Sequence, residues 1–187
     1  MRPIPKHFSV AAPTELLRRF CACERGTNAI EFAFVMPMLV AILLVTIQVA
    51  VIFIAQSYLE TVAEAGMRMV LTNQAQSAGF TQAQFQSAIC ANVTALFNCN
   101  NLIIALEPAP ANAASMSASM PQFDSNGNLT ATPPYNIAAM VPGAKGMLVV
   151  MYQWPVLGGP LGLSFSSLGN GALLLVATQV FQIEPST

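Results

Sequence analysis

Charge is what this sequence has least of. Charged side chains make up 8% of its 187 residues, about a third of the quarter usual in globular domains. Past Gly26 the only cations are Arg68 and Lys145. These are too few to neutralise a phosphate backbone, which excludes a nucleic-acid partner. Histidine occurs once, at His7. The carboxylates are scattered, and neither Gly-x-Ser-x-Gly nor His-Glu-x-x-His occurs. The chain therefore lacks the nucleophilic, acid–base and metal-binding constellations of an enzyme. No catalytic residue, cofactor, metal or small-molecule substrate is expected. Gly158-Gly159-Pro160-Leu161-Gly162 is glycine-rich, but the lysine and helix of a phosphate loop do not follow. No internal repeat is visible.

What the sequence has in excess is apolar surface, 55% of all residues. From Phe32 to Ala55 only Pro37, Thr46 and Gln48 interrupt an apolar run. About 24 helical residues cover about 36 Å, enough to cross a bilayer with some tilt. A buried core helix is one alternative, but a soluble protein's helix of this length would show a polar stripe, and this run shows none. A removable signal cut near Ala63-Glu64-Ala65 is a second alternative, but the run is about twice the usual length of such a signal's apolar region. Arg2, Lys6, Arg18, Arg19 and Arg25 precede the run against only Glu15 and Glu24, which holds that end in the cytoplasm. Cys21 and Cys23 then read as reduced cytoplasmic thiols.

The helix is expected to continue past the membrane. Gln56, Glu60, Glu64 and Arg68 recur every fourth residue, with Glu64 and Arg68 placed for a helical ion pair. Tyr58, Val62, Ala65 and Met69 form an apolar stripe on another face. This stripe rests either on the protein's own head or on neighbouring subunits. Gly79, with Asn73 nearby, marks the stop.

Arg25-Gly26-Thr27-Asn28-Ala29-Ile30-Glu31-Phe32 stands directly against the apolar run. It resembles the processing site of type IV prepilins: a basic leader, a glycine, a glutamate five positions on and an aromatic next. With Pro37 in the helix, the stretch from about Arg18 to Met69 is similar to the TadE/TadG-like family of tight-adherence (Flp-type) pilus assembly proteins. Tyr152-Gln153-Trp154-Pro155 and the closing Glu184-Pro185 resemble that family's tail more weakly. The resemblance implies a minor pilin or pseudopilin cut by prepilin peptidase between Gly26 and Thr27. It implies subunit pairing through Glu31 and Phe32. An uncleaved single-pass scaffold in a pilus or secretion complex is the alternative. Implied partners are membrane lipid, the peptidase, other pilins or pseudopilins, and the inner-membrane pilus platform. The implied location is the bacterial inner membrane, N-terminus cytoplasmic and C-terminal domain periplasmic. The residues themselves support parts of this. Glycine lets the backbone before a cut bond adopt conformations that others resist. A carboxylate at the mouth of a membrane helix is costly and calls for a partner or an interfacial position. In the first helical turn it would also suit the helix dipole.

Residues 1–26 thus read as a basic leader, 27–78 as the transmembrane and extended helix, and 79–187 as a head. In the head, Thr81 and Gln84 stand at capping-box spacing. Phe85, Ile89, Val93, Leu96 and Phe97 follow as one apolar helical face to about Asn98. Cys90 and Cys99, past the membrane, are expected to form a disulfide; a metal site or reactive thiol is the alternative, but no histidine is near. Strands are expected at Asn101 to Glu107, Met147 to Trp154 and Ala172 to Ile183. Between the first two, 108–134 reads as a flexible loop, where Met116 and Met120 could suggest soft-metal binding but fit a plain loop better. The whole predicts an α+β, pilin-like fold with about three to four antiparallel strands.

Overall fold

The computed structural model describes residues 27–91, 97–109, 122–156, 158, 162 and 164–184. The leader, Val93, Leu96, Met116 and Met120 lie outside them. The chain forms two units, Met1–Leu44 and Val45–Thr187.

One helix, α1, runs from Thr27 to Leu71 with Pro37 inside it. It stops before Asn73, whose left-handed φ of 59° its short amide side chain tolerates. A single turn follows, α2 (Gln74–Ser77), so Gly79 ends α2 and not the long helix. Helix α3 (Gln82–Cys90) opens with the expected capping box. Thr81 N–H donates to Gln84 Oε1 at 2.9 Å, and Gln84 N–H to Thr81 Oγ1 at 3.4 Å. It ends at Cys90, well before the Asn98 that periodicity gave.

Three strands, β1 (Leu102–Pro108), β2 (Lys145–Pro155) and β3 (Ala172–Gln182), form one antiparallel sheet in that order. The fold is α+β. β2 lies in the middle and is buried without a break from Gly146 to Tyr152, because both faces of the sheet are covered. On one face Ile104, Leu106, Leu148, Val150, Leu175 and Phe181 pack with the head-side part of α1 and with α3. On the other, Ala105, Met147, Val149 and Met151 form a second cluster against Ile103, Phe123 and Val176. Strand alternation sends successive β2 residues to opposite clusters. Tyr135 packs its ring 5.9 Å from Phe85 and donates its hydroxyl to Phe80 O; burial raises its pKa.

The face of α1 that enters this core is Ala55, Leu59, Val62, Ala63 and Val70, together with Gly66. The stripe expected from hydropathy was turned from this face: of its members only Val62 is buried, and Tyr58 is 45% exposed. Ala55, Ala63 and Gly66 share the true contact with Leu59, Val62 and Val70, and hydropathy gives such small residues less weight than it gives larger apolar ones. Glu64 and Arg68 form no ion pair among the described residues. Instead Gln56 bridges Glu60 Oε1 at 3.2 Å and the carbonyl of Val176 at 2.9 Å.

Candidate functional site

Glu31 is the only charged residue between Thr27 and Leu59. It is the fifth residue of α1, and no acidic residue occupies the first turn, so the dipole contact expected there is not made. Its side chain is exposed. Around it the helix is exposed and apolar: Ile30 and Phe32 are each 61% accessible and Phe34 is 80%. Met38, Leu39, Ile42 and Leu43 continue that surface. Such a contiguous apolar surface requires lipid or protein against it. Pro37 has no N–H, so the Ala33 carbonyl lacks its helical partner. Gly26 lies outside the described residues, and Thr27 is described by its backbone alone.

Further along, α1 satisfies its own hydroxyls. Ser57 Oγ donates to Phe53 O at 3.1 Å, and Thr61 Oγ1 to Ser57 O at 3.0 Å.

In the head, Cys90 and Cys99 are joined by a disulfide with Cα atoms 5.8 Å apart. The bridge ties the end of α3 to the 3₁₀ turn Cys99–Asn101, which leads into β1. Gln86 reinforces the tie, donating through Nε2 to Cys99 O and to Leu102 O. Phe97 seals the region, its ring 4.8 Å from Tyr152 and 6.1 Å from Trp154. Thus two aromatics of the Tyr152-Gln153-Trp154-Pro155 stretch serve packing, while Gln153 points to the other face.

There Gln153 holds a turn. Its Nε2 donates to Gly127 O, and its Oε1 accepts from Asn170 Nδ2 at 3.1 Å. They border a cleft of about 440 Å³ with Asn100, Asn101 and Asn128. The turn is built on Asp124, whose Oδ1 accepts from the backbone of Asn126 and Asn128, each at 2.8 Å. The Asn128 backbone N–H is the main cause that lowers the Asp124 pKa below its ordinary 3.8. A carboxylate so held stabilises the turn above its unfolded pKa and stops doing so as pH falls through the folded value. The Asn126 and Asn128 amides are therefore expected to stay protected at pH 5 and to exchange faster below the folded Asp124 pKa. Amide exchange followed by NMR during acidification checks this; protection that persists after Asp124 itself has been seen to protonate would contradict it.

The fold and this surface define a class: a small α+β head joined to one helix long and apolar enough to cross a membrane. Residues 26–68 match the family model described as TadE-like protein. Over that segment the chain is similar to TadE-like proteins. No curated protein and no solved structure matches it.

Gln56 of α1 and Gln82 and Gln86 of α3 act as backbone caps, a role that the sequence pattern does not mark. Only their spacing along exposed helix faces could have pointed to them.

Proposed function

We propose that this protein is a minor pilin or pseudopilin in Flp-type (tight-adherence) pilus assembly, with a structural and not a catalytic role. The observation that carries the reading is the TadE-like match, which begins at Gly26 and runs along α1 to Arg68. Prepilin peptidase would cut the Gly26–Thr27 bond on the cytoplasmic side of the inner membrane. The new Thr27 amine would then lie four residues from Glu31 in the chain. A carboxylate at that depth is costly when alone, and a neighbouring subunit's amine supplies the opposite charge. The exposed Ile30, Phe32 and Phe34 surface would face lipid before assembly and other pilins or the inner-membrane platform afterwards. The head would stand in the periplasm, where a disulfide such as Cys90–Cys99 persists.

The N-terminal sequence and intact mass of the membrane protein, with and without active prepilin peptidase, test this. The expected result is a terminus at Thr27 that disappears when the peptidase is inactive. An intact leader in both samples would refute processing and leave a permanently anchored scaffold.

A further inference from the structure

The two edges of the sheet are treated differently. The β1 edge is covered. Leu106 exchanges backbone hydrogen bonds with Pro134 O at 2.9 Å and the Asn136 N–H at 2.7 Å. Gln82 and Gln86 of α3 donate to the carbonyls of Ile104 and Leu102. The β3 edge is capped at one end only. Ser167 Oγ accepts from the Leu174 N–H at 2.9 Å, and Gln56 caps Val176 O. These contacts fix the parity: Leu174 and Val176 turn their backbone groups away from β2, so Thr178, Val180 and Gln182 do likewise. No backbone partner meets those three among the described residues. All three side chains are exposed, Val180 at 56%. Bare edges of this kind are usually blunted by lysine, proline or a bulge, yet Thr178-Gln179-Val180-Phe181-Gln182 has no charge and no proline.

A groove of about 530 Å³ runs beside this edge, with Thr61, Glu64, Arg68 and Leu71 of α1 on one side and Gln179 on the other. Glu60 lies one helical turn before Glu64, close to the edge through their shared contact with Gln56. Two carboxylates, Glu60 and Glu64, thus stand beside the edge against the one guanidinium of Arg68, and from Val45 on the chain carries five acidic residues against two basic ones. Charge therefore disfavours a second copy of the head in this groove and favours a cationic occupant.

We propose that the Thr178–Gln182 edge is a strand-addition site for an extended segment of another protein that carries lysine or arginine. The segment extends the sheet beyond β3 by main-chain hydrogen bonds. Its cationic side chains reach Glu60 and Glu64 across the groove. The proposal rests on the sheet and its charge, not on the pilus reading.

The test uses the full chain in neutral detergent micelles. The probe is a blocked synthetic peptide of alternating valine and lysine; in its control, glutamate replaces lysine. The expected result is about tenfold slower amide exchange at Thr178, Val180 and Gln182 with the lysine peptide, equivalent to about 1.4 kcal/mol. The glutamate peptide should have no such effect. Val180→Pro removes only an outward N–H and no bond to β2, so the chain keeps its circular dichroism spectrum and loses the protection. Glu60→Lys with Glu64→Lys should weaken binding about tenfold at unchanged fold. Three outcomes would overturn the proposal: no slowing at millimolar peptide, equal slowing by the glutamate peptide, or protection without peptide that rises with protein concentration. The last would mark self-pairing.

Discussion

A Gly66→Leu chain is expected to unfold at distinctly lower denaturant than the parent, with a loss of about 3 kcal/mol or more. At Gly66, α1 lies directly against β2 and α3. A Cβ built there stands 2.9 Å from Leu148 Cδ2, 3.3 Å from Phe85 Cζ and 3.4 Å from Ile89 Cγ2. A leucine would drive three more carbons into that space, and interiors packed to crystal-like density cannot absorb them. Gly66→Ala separates crowding from helix propensity. Alanine gains about 1 kcal/mol as a helix former, while the nearest obstacle is the end of one leucine side chain. Its midpoint should fall near the parent's. Equal stability for the leucine and alanine variants would mean that the close approach does not exist.

The second large effect is expected from the disulfide. Cys90 and Cys99 are nine residues apart, and closing so short a loop in the unfolded chain is worth about 2.5–3 kcal/mol by chain entropy. Replacing both by alanine, or reducing the bridge, should lower head stability by about that amount. Cys90 is fully buried in the main core, so the alanine pair also leaves a small void that reduction does not. The double variant should therefore fall below the reduced parent in a denaturant titration. If reduction left the unfolding midpoint unmoved, the bridge would not constrain the native head.

Much of this architecture was legible because its signals are local. The apolar run, the Thr81–Gln84 cap and the three strand patterns depend on neighbours a few residues apart, and each strand end was found to within two residues. The disulfide was legible from position alone. What failed depended on partners distant in the chain. Hydropathy set the buried face of α1 off by one position because Gly66, Ala63 and Ala55 pack there through their smallness. The second helix was drawn too long because the apolar residues after Cys90 continue its period, although Phe97 serves a different contact, against Tyr152 and Trp154. The strip of backbone from Pro134 to Asn136, at and just past the end of what read as loop, could not announce that it shields β1. At the N-terminal end of α1, Glu31 and Phe32 were singled out through the family pattern. Their exposure follows from α1, but a pairing role concerns another chain and is not written in this one.

The head's long polar stitches are almost all carboxamides: Gln56 to Val176, Gln82 to Ile104, Gln86 to Leu102, Gln153 to Gly127. A carboxamide neither takes up a proton near neutrality nor attracts a counterion cloud. Outside the Asp124 turn, then, little inside this head responds to acid or brine. A head stitched in this way keeps the same internal bonds whether the water around it is dilute or saline, neutral or mildly acid.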